Sequence, residues 1–446
     1  MMAALLAAGA CAGNDHSGGP DSSTITDNDG DGFDDQVDCN DADRTINPDA
    51  PERCDGVDND CDGATDEGFD LDGDGWTTCM GDCRDADPNS HPYANEVIDG
   101  VDNDCDGAVD NHSDSYDDDG DGYSEDQGDC NDDPTQNGAM IGPDAVEVQV
   151  DDNGDPEGVD NDCDGQIDEA LEPCPDLPST DGAAFAAAID ACHYTLRAGW
   201  DSSLGIDPRS RGIFTDYGDT YAPRAGDSFA VLSTGVAGDA ADPGWVALAP
   251  GTDFGTSAPH PDPQGAVGCS YPDEATVNDY TELQLVLQVP ANAQAFSFDF
   301  NFMSAEFPEF VCTMYDDTFV AMLTSTQFNG NVSFDSMGNR VSINVGFFDV
   351  CATSLDPGCV GDADLVGTGY EGSEGGGTGW LTTTAPVTPG EKITLGFSVH
   401  DEGDHDYDSA VLIDNFRWEV DPVDGPVTVP RLRARPSRFV TAGRAP

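Results

Sequence analysis

One eight-residue phrase constrains this chain more than any other. Gly56-Val57-Asp58-Asn59-Asp60-Cys61-Asp62-Gly63 returns as Gly100–Gly107 and again as Gly158–Gly165. Three near-identical copies define a repeat array. In each copy Asp falls at alternate positions and Gly follows the third, the spacing by which a tight loop directs oxygen ligands at one hard cation.

Each repeat opens with a related loop. These first loops run Asp27, Asp29, Asp31 and Phe33; Asp70, Asp72, Asp74 and Trp76; and Asp117, Asp119, Asp121 and Tyr123. Acids at positions 1, 3 and 5 supply side-chain oxygens, Gly at position 6 permits the sharp turn, and the aromatic at position 7 can lend its carbonyl. Asp35 and Asp38 complete positions 9 and 12 in repeat 1, while the closing acid comes one residue later in the others, at Asp82 and Asp129. The second loops contribute Asp58, Asp60, Asp62 and Asp66; Asp102, Asp104, Asp106 and Asp110; and Asp160, Asp162, Asp164 and Asp168. Connectors with Pro48, Pro92 and Pro143 at one fixed offset join the two loops, so the repeats span about 27–69, 70–116 and 117–172. Every expected ligand is an oxygen, and His or Cys takes no ligand position. That donor set selects Ca2+ over zinc or copper, and flexible multi-carboxylate loops suit calcium better than magnesium.

Composition agrees with a metal-built fold. Residues 21–172 hold 51 Asp or Glu against three Arg (Arg44, Arg53, Arg84), with too little Leu, Ile and Phe to offset chain entropy unaided. Metal and cross-links must stand in for a core there. A formal charge of −75 and a single Lys, Lys392, exclude nucleic acid or an anionic membrane surface as partner.

Fifteen Cys point to an oxidising compartment. Repeat 3 has only Cys130 and Cys163, which pair most economically with each other; equivalence then pairs Cys83 with Cys105 and Cys39 with Cys61. Cys54 and Cys79 are left to staple repeat 1 to repeat 2. A competing scheme closes Cys54–Cys61 instead. Cys174–Cys192, Cys269–Cys312 and Cys351–Cys359 pair by proximity. Cys11 stands apart behind a small apolar run, and residues 1–20 read as an export signal ending in a lipidation site at Cys11, then a linker.

The pattern Asp38-Cys39-Asn40-Asp41, followed by Glu52-Arg53-Cys54-Asp55 and the opening phrase, resembles the metal-binding repeat of MopE-related bacterial surface proteins. It is also similar to thrombospondin type 3 calcium repeats. The first family's association with copper is not carried over, because no matched position offers a soft or imidazole ligand.

From residue 175 to 422 the text changes to period-two alternation: Leu283, Leu285, Leu287, Val289; Phe296, Phe298, Phe300, Phe302; Ile343, Val345, Phe347; Ile393, Leu395, Phe397, Val399; then Val411, Ile413 and, after a shift, Phe416 and Trp418. Asp181 is expected to cap a helix from Gly182 to Cys192. The fold class is therefore mostly β: an irregular array of calcium loops over 21–174 with little regular secondary structure, then a jelly-roll-like β-sandwich. Ser304-Ala305-Glu306-Phe307-Pro308-Glu309 and the segment from His400 to Phe416 resemble the signature segments of the choice-of-anchor L domain, whose exported members have no defined activity. Glu306, Asp316, Asp317, Asp408 and Asp414 are candidate ligands of one more calcium ion, with solvent-facing turn caps as the bland alternative. His400 and His405 are expected on a loop surface. Residues 423–446 read as a disordered basic tail.

These features predict a non-enzymatic, exported protein, secreted or held at the cell surface as an outer-membrane lipoprotein. A calcium-stabilised spacer would present the sandwich to a surface or matrix ligand, a glycan among the candidates, with the membrane touched only through the N-terminal lipid. Alternatives are a carbohydrate-binding or carbohydrate-active protein, with Glu306 and Glu309 as paired carboxylates, and a metal-storage protein.

Overall fold

The computed structural model describes residues 26–430 except 67–69, 112, 150–155, 176, 178–180, 202, 264–268, 270–274, 346 and 374. The expected export signal with Cys11, and the part of the 423–446 tail beyond Pro430, lie outside the described residues; within the expected disordered tail, Val427–Pro430 instead forms a strand paired with residues 381–384. The chain divides into two compact units, Met1–Ser113 and Asp114–Pro446.

In the first unit the described residues form turns and bends with one 3-10 turn, Thr78–Met80. Ile46 is the one hydrophobic residue buried among them; the other buried side chains are Asp38, Asn59, Asp82, Ser90, Glu96, Asn103 and Asn111. The interior of this unit is polar. Cys39–Cys61, Cys83–Cys105 and the inter-repeat Cys54–Cys79 bridge cross-link it.

The second unit is a β-sandwich carrying the third repeat. Its strands are β1 (Thr195–Gly199), β2 (Arg211–Phe214), β3 (Phe229–Ser233), β4 (Ser257–Pro259), β5 (Thr276–Gln288), β6 (Ala295–Ser304), β7 (Thr318–Thr324), β8 (Asn329–Asn331), β9 (Val341–Ser342), β10 (Gly376–Gly377), β11 (Leu381–Pro386), β12 (Lys392–Asp401), β13 (Ser409–Glu419) and β14 (Val427–Pro430). One antiparallel sheet runs β1-β5-β12-β7-β8, with β4 on β5 and β9 on β7; the other runs β14-β11-β6-β13-β3-β2, with β10 on β6. Long strands alternate between sheets along the chain, so each turn of sequence adds one side chain row to each wall of a shared core. Period-two alternation puts Leu283, Leu285 and Leu287 against Phe296, Phe298, Phe300 and Phe302, with Phe319, Leu395, Phe397, Val411 and Ile413 between them, all fully buried. Burying each such side chain contributes roughly 1.5–3 kcal/mol.

A second cluster explains why β3 shows no alternation. Phe229 and Val231 face outward from their sheet, yet Tyr217, Leu248, Leu365 and Tyr370 cover them, so every residue of the strand is buried. The shift expected after Ile413 is a break in register between Asp414 and Arg417, with Asn415 at φ +54°. Two expectations differ. The helix α1 spans Gly182–Ala188, capped as expected by Asp181 Oδ1 on the Ala184 N–H, but ends before Cys192 because Asp190 turns to φ +65°. Ile343, Val345 and Phe347 do not form a strand: β9 stops at Ser342, whose hydroxyl accepts the Asn344 N–H and turns the chain, leaving Ile343 and Val345 buried from a loop.

The third repeat shares this core. Val146 and Val148 pack in the main cluster, and Asn292, wholly buried, accepts the Val146 N–H at 2.9 Å and donates to the carbonyls of Val146 and Met140 at 2.8 and 3.2 Å. Cys130–Cys163, Cys174–Cys192, Cys269–Cys312 and Cys351–Cys359 complete seven disulfides.

Candidate metal centres

The first loops close the same way in all three repeats. Position 1 accepts two backbone N–H groups: Gly30 and Gly32 donate to Asp27, Gly73 and Gly75 to Asp70, and Gly120 and Gly122 to Asp117, over 2.6–3.3 Å. Positions 3 and 5 each accept the N–H two residues on, as in Asp31 N to Asp29 Oδ1 and Phe33 N to Asp31 Oδ1, with matching bonds at Asp72, Asp74, Asp119 and Asp121. One oxygen of each acid thus shapes the loop. The other is left inside: Oδ2 of Asp29 and Asp38, of Asp72, Asp74 and Asp82, and of Asp119, Asp121 and Asp129 is buried without a hydrogen bond. Asp31 differs, because Asn47 Nδ2 donates to its Oδ2 at 2.8 Å.

Buried acceptors without donors are costly, and clustered anions add repulsion. Burial, then neighbouring acids, raises the carboxyls of Asp29 and Asp72 above the ordinary range. Burial also lifts Asp119 to about 6, with Asp129, Asp132 and Asp117 adding, and Asp121 to about 7, with Asp119 and Asp129 adding. A divalent cation would relieve both penalties together. The structure brings Asp38, Asp82 and Asp129 to their loops as expected from spacing, whereas Asp35 is exposed. Phe33, Trp76 and Tyr123 sit at position 7, with Trp76 stacked on His91 and the Tyr123 hydroxyl donating to Asp144.

The second loops repeat this geometry with one substitution. Cys61, Cys105 and Cys163, at φ 59–62°, take the left-handed position that Gly30, Gly73 and Gly120 hold in the first loops. Asp58, Asp102 and Asp160 accept the N–H of Gly63, Gly107 and Gly165; Asp60, Asp104 and Asp162 accept that of the next Asp; and Asp62, Asp106 and Asp164 accept that of Ala64, Ala108 and Gln166. Asp66, Asp110 and Asp168 clamp the loop entry, both oxygens of each accepting the N–H of Gly56, Gly100 or Gly158.

Sequence reasoning gave no role to two sets of acids. Glu52, Glu96 and Glu147 each hold a second loop from beneath. Oε1 of Glu147 accepts the N–H groups of Asn161 and Asp162 and Oε2 that of Asp168; Glu52 repeats all three bonds, and Glu96 accepts the N–H groups of Asp104 and Asp110. Asp41, Asp85 and Asp132 accept the N–H at position 2 of the first loops. Both sets recur at fixed offsets, and that recurrence was the available signal.

In the sandwich, Glu306, Asp316, Asp317 and Asp408 are buried at one end of the sheets, joined there by Asp401 and Asp279. Burial, then mutual repulsion, holds Glu306 and Asp317 well above the carboxylate range; burial does the same for Asp401, eased by the Thr234 hydroxyl. Asp414 does not join them: it accepts the Arg224 N–H across the register break and is lifted by burial to about 8. Glu309 is exposed while Glu306 is buried. His400 is not on a surface loop. It is wholly buried with its imidazole driven well below its usual pKa by burial, and it lies within metal-ligand reach of His260 and Glu402. Arg340 fills the cation's place there, with Nη2 on Glu402 Oε1 and Nη1 at His260 Nε2, both at 2.8 Å. His405 is a third exposed and faces Asp279 at 3.1 Å.

The fold and sites together define a two-part protein: disulfide-bonded carboxylate loops and a β-sandwich. Residues 38–67 and 82–111 match the family model Cu-binding MopE, described as "Putative metal-binding motif", and residues 201–416 match the choice-of-anchor L domain. The chain thus contains two motifs of that description and one choice-of-anchor L domain. No curated protein matches it. Among solved structures, the enzymatically active domain of tailspike protein 4 of bacteriophage CBA120 aligns at 9% identity with a TM-score of 0.16, covering 48% of this chain and 20% of that one. The chain spans about a fifth of that structure, and so low a score carries no argument.

Proposed function

We propose that the chain is an exported, non-catalytic surface protein whose repeats are calcium loops that stiffen a spacer and present the sandwich for adhesion or matrix contact. One observation carries the reading: unpartnered buried carboxylate oxygens recur at matching positions in all three first loops. The motif's name points to copper, but the donors favour calcium. Cys39 and Cys61 stand beside Asp38, yet their sulfurs are bonded to each other, so no thiolate remains there. Seven disulfides suggest an extracellular protein, and no helix among the described residues is long and apolar enough to cross a membrane. The joint of repeat 3 to the sandwich through Asn292 supports force transmission from spacer to binding domain.

Limited proteolysis and small-angle scattering of the disulfide-intact chain test the spacer. Calcium should protect the segment 26–172 from cleavage and narrow its distribution of dimensions. Equal cleavage and unchanged scattering with calcium or chelator would remove the stiffening role.

A further inference from the structure

The inward-facing rows of the sandwich change chemistry at one end. On β6 the row Phe298, Phe300, Phe302 continues as Ser304, with Glu306 in the turn just beyond; approaching β7, Asp317 precedes Phe319; on β12 Asp401 follows Val399; on β13 Ser409 precedes Val411. Period two keeps Ser304, Asp401 and Ser409 on the core side, and Glu306 and Asp317 adjoin the strand ends. Pairing then gathers them, because Val399 lies opposite Phe319 and Ser409 opposite Ser304. Two hydrogen bonds fix the group: Ser409 Oγ reaches from one sheet to Asp317 Oδ2 on the other at 2.7 Å, and the Asp317 N–H donates to Glu306 Oε2 at 2.8 Å. The carboxyls of Asp317 and Asp401 meet at hydrogen-bond range.

We propose that Glu306, Asp317 and Asp401 hold one divalent hard cation, calcium by preference, between the two sheets at this rim. All three are at most 1% exposed. Both oxygens of Asp401 and Asp317 Oδ1 are buried without a donor in hydrogen-bond geometry, the Thr234 hydroxyl easing Asp401 from outside that geometry. Nearby, the Tyr370 hydroxyl is wholly buried without a hydrogen bond, and burial, then Tyr217 and the charges of Asp408, Asp317 and Asp401, holds it well above its usual pKa. Among the described residues no ion pair reaches these three acids, since Arg340, His260 and His400 pair with Glu402, on the opposite side of the chain from Asp401. Anions buried together without a counter-charge are retained only if something neutralises them. The donors are carboxylates and hydroxyls alone, which excludes a soft metal and suits the six to eight oxygens calcium takes, water supplying the balance. This site stands apart from the repeat loops and does not rest on them.

The test is equilibrium dialysis of the full chain against radioactive calcium, comparing wild type with Asp401→Asn and Asp317→Asn. Each variant should bind one ion fewer per chain and lose the calcium-dependent rise in the sandwich's unfolding temperature. An unchanged ion count would overturn the proposal and leave a set of carboxyls neutralised by protons. Should both variants misfold, wild-type crystals soaked in a lanthanide decide. An anomalous peak among Glu306, Asp317 and Asp401 supports the site, with or without peaks in the repeats, and its absence sinks it.

Discussion

The first unit and the sandwich solve the same problem with opposite materials. In the sandwich, Phe298, Phe300 and Phe397 exclude water and need no ligand. In the first unit the interior is Asp38, Asn59, Asp82 and Glu96, held by backbone N–H groups and disulfides around oxygens that have no donor. An apolar core stabilises a fold by itself, whereas a carboxylate core leaves buried charge that must be neutralised. The third repeat belongs to both, with carboxylate loops on one side and Val146 and Val148 in the apolar cluster on the other.

The comparison breaks most visibly through the core. Phe298→Ala should cost the sandwich about 3–5 kcal/mol, read as a lower unfolding temperature at fixed calcium. Calcium uptake by repeats 1 and 2 should stay unchanged; a parallel fall would mean that the two interiors are not separate. Acid sharpens the contrast more gently. Asp119 and Asp121 titrate near 6 and 7 in the folded, metal-free loop, above their ordinary 3.8. Their protons therefore favour the folded apo loop below about pH 4, and that stability is lost as pH rises through 6 to 7. Calcium must displace those protons, so affinity at the first loop of repeat 3 should fall at least about tenfold between pH 8 and pH 5, a factor of ten per proton and pH unit below the pKa. The loop variant Asp121→Asn should flatten the profile in calorimetric titrations at the two pH values.

Much of this was legible in the sequence because it repeats. Equivalence among three copies gave the pairing of Cys39 with Cys61 and left Cys54 for Cys79, the arrangement in the structure. Strict alternation at Phe296–Phe302 marked a core strand, and the broken rhythm after Ile413 marked the register break. Alternation misled at Ile343–Phe347, where buried side chains hang from a turn, since periodicity reports which residues are inside and not the hydrogen bonds that make a strand. The rim site was half visible. Glu306 and Asp317 stood close in sequence, but Asp401 joins them only through strand pairing. His400 was misplaced because its burial depends on His260 and Arg340, each at least 60 residues away in the chain.

The central claim is that the repeat interiors are built for a hard cation. Calcium should be titrated into the metal-free, disulfide-intact chain by calorimetry, with copper(II) as competitor. Several ions per chain should bind with dissociation constants of about 10⁻⁴ to 10⁻³ M, the range of extracellular calcium modules, and copper should not displace them. No uptake up to ~10 mM calcium, ten times the upper end of that range, or displacement by copper at far lower concentration, would contradict the account.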